Sequence, residues 1–236
     1  MTTELRLILD SAHSATFNMA ADEFLMESQR DPKVSPVLRV YTWDAPAVTV
    51  GYFQEVEEVA RRLKSKEKKI SVVRRLTGGG LVMHGRDVTF SLLLKNNNPF
   101  LPSDVKMSYL KVNEALRLGI KELYPEMDYA DCKTVPSGRG DGERVCFEKP
   151  SCYDLLIGKQ KVVGASQRRR DGVILHQSTV FLKDPIKTVT EKILKGFREL
   201  WKIDFEEKPL SGEEIKLIQK KEVERYGSPE WANPVI

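Results

Sequence analysis

Five stretches of the chain carry apolar residues at helical spacing and predict amphipathic helices. The last of them begins with Ser211 and Glu214, which have the spacing of a capping box, and it is followed by Gly227, a residue typical of helix ends. The predicted helices cover residues 17–29, 55–64, 106–123, 187–201 and 211–226.

Short runs rich in Val, Ile, Leu, Thr and aromatic residues predict strands between these helices. The turn signals Asp44-Ala-Pro, Gly158-Lys-Gln and Asp171-Gly172 separate some of them. Between residues 129 and 149 the pattern stops, and PSGRGDGER predicts a polar loop. The predicted strands are 37–43, 47–53, 70–76 and 88–95, followed by a three-stranded meander of 153–157, 161–167 and 173–182.

No internal repeat, low-complexity tract or linker divides the 236 residues. A chain of this length can bury a full hydrophobic core without a disulfide or a structural metal. We therefore expect a single α+β domain over residues 1–236, with mixed β-sheets flanked by helices. Residues from about 205 to 236 are expected to form a helical C-terminal extension.

Composition and charge exclude several classes of function. The chain has 38 Lys and Arg against 34 Asp and Glu, and this small excess with mixed signs does not predict binding to nucleic acid. Charges at Glu4, Arg6 and Asp10 argue against a secretory signal, and no apolar run is long enough for a membrane span. Three cysteines favour a reducing, cytoplasmic location over a disulfide framework, and their spacing does not suit a metal site.

The segment Arg74-Arg75-Leu-Thr-Gly-Gly-Gly80 follows a predicted strand and lacks the spacing of a P-loop or a dinucleotide fingerprint. Successive glycines allow the backbone to approach a ligand closely. The alternative is a flexible turn without a ligand. Two arginines at the end of the strand favour a binding loop.

The cysteines and Lys161 are the next candidates for chemistry. Cys146 follows the polar loop, where a thiol can be presented, although a free cysteine is more often an inert core residue. Lys161 would stabilise a thiolate if it lay close to one, and would otherwise be a solvent-facing strand residue. His13, His84 and His176 lie far apart in the sequence, and we expect them to be surface or hydrogen-bonded core residues.

Six motifs together are similar to those of a known family. Over nearly its full length the chain resembles the LipM-type octanoyltransferase branch of the biotin/lipoate protein ligase superfamily. In order, the motifs are FNMAADEFL, PVLRVYTWDAPAVTVGYFQ, RRLTGGGLVMHGRDVTFS, CFEKPSCYDL, GKQKVVGASQRRRDGVILHQST and a final helix that ends near Tyr226 and Trp231.

The resemblance implies an acyl transfer through a covalent intermediate. Cys146 would take octanoyl from the phosphopantetheine of acyl carrier protein as a thioester, and Lys161 would lower the pKa of that thiol. The acceptor would be a lysine of a lipoyl domain, such as that of glycine-cleavage H protein. No cofactor or metal is implied, and we expect a monomer that binds neither nucleic acid nor membrane. The implied substrate-binding residues are Arg75, Thr77, Gly78, Gly79, Gly80, His84, Gly164, Ala165 and Ser166.

Two departures from the family pattern concern histidines. The usual His-Asp pair of the glycine-loop motif is here His84-Gly85, with Asp87 nearby, and the usual Gln-His-Gly is here His176-Gln177-Ser178. Neither departure affects Cys146 or Lys161. The roles of His84 and His176 therefore stay open, and of the three thiols we expect Cys132 and Cys152 to pack in the interior.

Two rival functions use the same features differently. An ATP-dependent lipoate–protein ligase would share the fold and Lys161, but it would not need Cys146 or the CFxxPSxY segment, and the chain leaves little room for an accessory domain after residue 226. A non-catalytic carrier-binding protein would use the basic clusters at 61–69 and 168–170 to dock an acidic partner. Charge runs of this kind are more often solvated faces.

Overall fold

The computed structural model describes residues 5–64, 70–133 and 150–233, and it confirms the α+β class. None of the helices within these ranges combines the length and the apolar composition needed to cross a bilayer. The helices there are α1 (Ala15–Ser28), α2 (Val56–Lys64), α3 (Val105–Ile120), α4 (Ile186–Trp201) and α5 (Gly212–Lys221), which continues into a π-helical turn (Glu222–Tyr226).

Side chains at the helix starts satisfy backbone N–H groups that have no partner inside the helix. Ser14 accepts from the N–H of Phe17 at 3.1 Å, and Asp104 accepts from the N–H of Met107 at 2.8 Å. The predicted capping box of Ser211 is confirmed. The strands of the same described ranges are β1 (Leu5–His13), β2 (Val37–Trp43), β3 (Ala47–Val50), β4 (Ser71–Arg74), β5 (Val82–His84), β6 (Val88–Lys95), β7 (Met127–Tyr129), β8 (Leu155–Ile157), β9 (Gln160–Lys161), β10 (Val163–Arg170), β11 (Val173–Val180), β12 (Phe205–Glu207) and β13 (Ala232–Asn233).

The largest sheet has the order β10-β11-β6-β2-β1-β12 and is covered on both faces. Helices α3 and α4 pack on one face, and α1 with the C-terminal segment packs on the other. Because side chains alternate along a strand, Leu38 and Val40 of β2 join the first core while Val37 and Tyr41 join the second. This double coverage explains why β11 is buried along its whole length.

Two smaller sheets lie within the described residues and carry part of the site. The first has the order β13-β4-β3-β5, and the glycine-rich segment leaves the end of β4. The second is the antiparallel sheet β7-β8-β9. The chain passes from β9 directly into β10 of the large sheet, which places Lys161 beside the start of β10.

The structure differs from the sequence predictions in several elements. The predicted meander is split, because its first strand lies in the β7-β8-β9 sheet and the run 161–167 breaks at Val162. Strand β1 was not predicted; its charged residues have partners far along the chain, Arg6 with Glu214 and Asp10 with Arg39. The C-terminal extension is not only helical, since β12 pairs in parallel with β1 and β13 pairs with β4.

Candidate active site

A pocket opens where the large sheet meets the β13-β4-β3-β5 sheet. Its wall combines apolar side chains with hydroxyl groups and three groups able to carry positive charge. The lining residues are Met19, Tyr41, Trp43, Thr49, Arg75, Val82, His84, Thr89, Lys161, Gly164, Ala165, Ser166, Gln177 and Thr179.

Lys161 forms an ion pair in the wall of this pocket. Its Nζ atom lies 2.7 Å from Oδ2 of Asp154, and the two side chains are 7% and 12% exposed. Asp154 precedes β8, and Lys161 lies in β9 opposite Leu156. The hairpin therefore brings together two groups of opposite charge that neither pattern nor spacing had linked.

His84 lies between a carboxylate and a hydroxyl group. Its Nδ1 is 2.8 Å from Oδ2 of Asp87, and its Nε2 is 2.9 Å from Oγ1 of Thr49. The imidazole also stacks on the indole of Trp43, with ring centroids 3.9 Å apart. Burial alone would raise the pKa of Asp87, but the adjacent His84 and the N–H of Gly85 hold it below its ordinary value of 3.8. Asp87 is thus an ionised acceptor that fixes the orientation of the ring.

Arg75 organises the glycine-rich segment from inside. Its Nη2 donates to the carbonyl oxygens of Gly78 at 2.6 Å and Gly80 at 2.8 Å, and its Nη1 donates to the carbonyl oxygen of Thr49 at 3.2 Å. The planar guanidinium can hold several acceptors in fixed directions. Arg75 therefore shapes the loop as well as lining the pocket.

Two glycines, Gly79 and Gly51, are required by the backbone geometry at this point. Gly79 has a φ of 94°, a conformation that side chains disfavour. A Cβ atom on Gly51, at the end of β3, would overlap the carbonyl oxygen of Gly79. The glycine-rich segment is therefore packed against β3 and is not a free turn.

A buried polar network lies behind the pocket and connects its walls. The hydroxyl of Thr77 donates to Oε1 of Gln177 at 2.6 Å, and Nε2 of Gln177 donates to Oδ2 of Asp22 at 2.7 Å. Asp22 in turn pairs with the fully buried Arg39, whose Nη1 lies 3.1 Å from Oδ1. Thr77 also hydrogen-bonds Ser166 at 2.7 Å. Helix α1, β11, the glycine-rich segment and β10 are thereby held in one arrangement.

The sequence comparisons assign this architecture to a family. The model of the lipoyl protein ligase A/B catalytic domain matches residues 14–206, which include every described lining residue. The chain belongs to this family. The fold expected from the resemblance is confirmed: a Thermoplasma acidophilum protein assigned as a lipoate protein ligase superposes with a TM-score of 0.75 at 25% identity, covering 97% of this chain and 98% of that one.

Two curated relatives of the chain bear the same name. The octanoyltransferase LipM of Moorella thermoacetica is 33% identical over 214 residues, which are 84% of this chain and 76% of that protein. The octanoyltransferase LipM of Bacillus cereus is 37% identical over 177 residues, which are 72% of this chain and 62% of that protein.

The structure gathers many of the residues that the family resemblance had implied. Lys161, Arg75, His84 and residues 164–166 line one pocket, whereas Thr77 and Gly78–Gly80 lie behind or beside it. Cys146 lies outside the described residues. Asp87, three positions after His84 along the chain, places its carboxylate on the His84 ring.

His176 is a hydrogen-bonded core residue, which is one of the two environments expected from the sequence. Gln167 donates to its Nδ1 at 2.8 Å, and its Nε2 lies 3.1 Å from the hydroxyl of Ser178. Burial, with a smaller contribution from Arg169, lowers the pKa of His176 to about 3. The ring is therefore neutral at pH 7 and holds β10 against β11.

The prediction for Cys132 and Cys152 was wrong. They form a disulfide, with Cα atoms 4.5 Å apart, and Cys132 is exposed. The bond joins two positions separated by 20 residues along the chain. With two of the three thiols paired, the cysteine count no longer argues for a reducing compartment.

Several site residues were missed because their signal is spatial. Asp154, Asp87, Thr49 and Gln177 are common residue types, and their contacts arise only in the fold. Each of them does stand within one of the quoted family motifs, which was the signal that could have found them.

Proposed function

We propose that this chain is an octanoyl-[acyl carrier protein]:protein N-octanoyltransferase acting in protein lipoylation. The observation that carries the proposal is the position of Lys161, a buried cation in the wall of a pocket built from the family motifs. The curated relatives at 33% and 37% identity, both named octanoyltransferases, support the same activity.

The reaction proceeds in two acyl transfers. The thiolate of Cys146 attacks the thioester carbonyl of octanoyl-phosphopantetheine, the new C–S bond forms, and the pantetheine sulfur leaves and takes up a proton. The ε-amine of a lipoyl-domain lysine then attacks the Cys146 thioester, loses a proton and forms an amide, which releases the Cys146 sulfur. Covalent catalysis thus divides one protein-to-protein transfer into two steps at a single pocket.

Lys161 favours the first step through its charge. The thiolate is the nucleophilic form of cysteine, and an adjacent cation lowers the thiol pKa. The pocket accepts the acyl chain between apolar groups such as Met19, Trp43 and Val82. Burial of each methylene contributes about 0.8 kcal/mol, so the depth of the pocket selects chain length.

The partners follow from this chemistry. Acyl carrier protein delivers the octanoyl group, and a lipoyl domain such as that of glycine-cleavage H protein accepts it. Because the donor is already a thioester, the reaction needs neither ATP nor a resident cofactor.

One observation supports the ligase alternative, which is the fold match to the Thermoplasma acidophilum protein. Such a ligase would join lipoate to the same acceptor through an acyl-adenylate and would not use Cys146. The carrier-binding alternative needs the basic cluster at 168–170 to contact a partner, but two of its arginines bond the chain's own backbone. Arg168 donates to the carbonyl oxygen of Leu76, and Arg169 donates to that of Ser103. The second basic cluster, at 61–69, lies partly outside the described residues.

One experiment separates the three functions. The protein is incubated with octanoyl-acyl carrier protein without ATP, and its intact mass is measured. We expect an octanoyl adduct that is absent in Cys146→Ser and present in the control Cys132→Ser/Cys152→Ser, followed by transfer to a lipoyl domain. ATP-dependent lipoyl transfer that survives Cys146→Ser would establish the ligase alternative. No transfer under either condition would favour the carrier-binding alternative.

A further inference from the structure

Asp154 is held rigidly by its surroundings. Its Oδ2 accepts from the backbone N–H of Ser151 at 2.5 Å, and its own carbonyl oxygen accepts from the N–H of Ala130 at 2.7 Å. The preceding residue, Tyr153, has a φ of 69°, and its carbonyl oxygen accepts from Nδ2 of the buried Asn113 at 2.9 Å. Helix α3 and the end of β7 therefore fix where this carboxylate stands.

The same carboxylate oxygen meets Nζ of Lys161 at 2.7 Å. Lys161 lines the pocket, and Asp154 is not among the lining residues, so the carboxylate stands behind the ammonium group. A buried ion is stable only with a partner that satisfies its charge. Asp154 is such a partner, and its carboxylate contacts Lys161 without itself lining the pocket.

We propose that Asp154 is a positioning residue that keeps the charged Lys161 in the pocket wall. This inference rests on the proposed function, in which Lys161 stabilises the thiolate of Cys146. Without the carboxylate, the ammonium group loses this ion pair, and its position in the pocket wall is no longer fixed by Asp154. A displaced ammonium group stabilises a thiolate less, so the reactive thiol becomes harder to deprotonate.

Tyr109 is a further ionisable group near Asp154. Burial raises the pKa of the nearby Tyr109 to about 12, and the charge of Asp154 adds to that rise, so the phenol is neutral at pH 7. Arg75, which also lies near Tyr109, bonds the carbonyl oxygens of Gly78 and Gly80. The structure places Lys161 in direct contact with the carboxylate of Asp154.

The test measures the rate at which iodoacetamide alkylates Cys146 as a function of pH, in the Cys132→Ser/Cys152→Ser background so that only one thiol reacts. Asp154→Asn removes the charge and keeps a side chain that can accept from Ser151. We expect the midpoint of the pH–rate profile to rise by about one unit, so that alkylation slows by about tenfold at pH values below that midpoint. Asp154→Glu, which restores a carboxylate, should recover most of the rate.

A double-mutant cycle separates positioning from a purely structural role. In a Lys161→Ala background, Asp154→Asn should slow alkylation no further, because the ammonium group that Asp154 positions is already absent. The matched control is Asp128→Asn, an exposed carboxylate in the same three-stranded sheet, which should leave the pH profile unchanged. Equal slowing by Asp154→Asn with and without Lys161, or a Glu variant as slow as the Asn variant, would overturn the proposal.

Failure of this inference is distinguishable from failure of the proposed function. If the wild-type protein acquires an octanoyl adduct and Asp154→Asn is alkylated and acylated at the wild-type rate, the function stands and the positioning role falls. If the wild-type protein acquires no adduct, the transferase proposal falls, whereas the alkylation profiles still decide whether Asp154 acts on the thiol through Lys161.

Discussion

The backbone of Gly51 lies against the carbonyl oxygen of Gly79, with no space for a side chain between them. This contact joins the end of β3 to the glycine-rich segment, whose position is also set by Arg75. The lining of the pocket on this side therefore depends on a residue that lies outside the recognisable RRLTGGG motif.

Replacing Gly51 with Ala should displace the glycine-rich segment. The added methyl group cannot be accommodated without a backbone shift, and overpacking of this kind costs about 1–3 kcal/mol of unfolding free energy. Urea unfolding measures the loss, and octanoyl transfer should fall with it. The control Gly212→Ala adds a methyl group at the start of α5, where nothing lies within 4 Å, and should stabilise the protein slightly. Equal effects of the two substitutions would contradict the close contact.

Much of the architecture was accessible from local pattern. The helices were predicted close to their observed bounds because their apolar stripes are long, and the capping box at Ser211 gave the start of α5. The motif RRLTGGG identified one wall of the pocket because consecutive glycines after a strand favour a close approach of the backbone to another group. Lys161 was predicted as a site residue because its motif resembles that of the family.

The remaining features depend on partners distant in the chain. Strand β1 contains Arg6 and Asp10, two charged residues that disfavour the prediction of a packed strand. In the fold they form ion pairs with Glu214 and Arg39. The disulfide could not be inferred from spacing, since any two of three cysteines could pair and only the fold brings Cys132 to Cys152.

Arg75→Lys should weaken the glycine-rich segment. A lysine retains the charge but cannot bond the carbonyl oxygens of Thr49, Gly78 and Gly80 together, so we expect a loss of about 2 kcal/mol in unfolding free energy. Arg170→Lys is the matched control, because Arg170 is exposed and its ionic partner Asp171 lies 3.4 Å away; it should change stability by less than about 0.5 kcal/mol. Retention of wild-type stability by Arg75→Lys would show that its backbone contacts contribute little.

Reduction of the Cys132–Cys152 disulfide should destabilise the fold. Closing a loop of about 20 residues restricts the unfolded chain, and the expected contribution is about 3 kcal/mol. Under denaturing, non-reducing conditions the protein should titrate one free thiol, because two of its three cysteines are paired. Thermal unfolding with and without dithiothreitol measures the stability difference, and Cys132→Ser should be insensitive to the reductant. Three titratable thiols in the untreated protein would refute the pairing.

His176 should make stability fall as the solution becomes acidic. Its pKa is about 3 in the folded state against 6.5 ordinarily, so between these values the unfolded chain binds a proton that the folded protein excludes. Stability is therefore fully present above pH 6.5 and is lost as pH falls toward 3, by about 1.4 kcal/mol per pH unit from this group. Urea unfolding at pH 7, 6 and 5 measures the slope.

A pair of variants isolates this contribution. His176→Gln removes the titrating group and should flatten the slope between pH 6 and pH 5, even though it lowers stability at every pH through lost packing with Phe90 and Tyr109. Tyr109→Phe changes a neighbouring ring without changing ionisation in this range, because the pKa of Tyr109 is about 12, so it should shift the stability and preserve the slope. An unchanged slope in His176→Gln would mean that the acid sensitivity arises from other groups, because the glutamine side chain binds no proton in either the folded or the unfolded state.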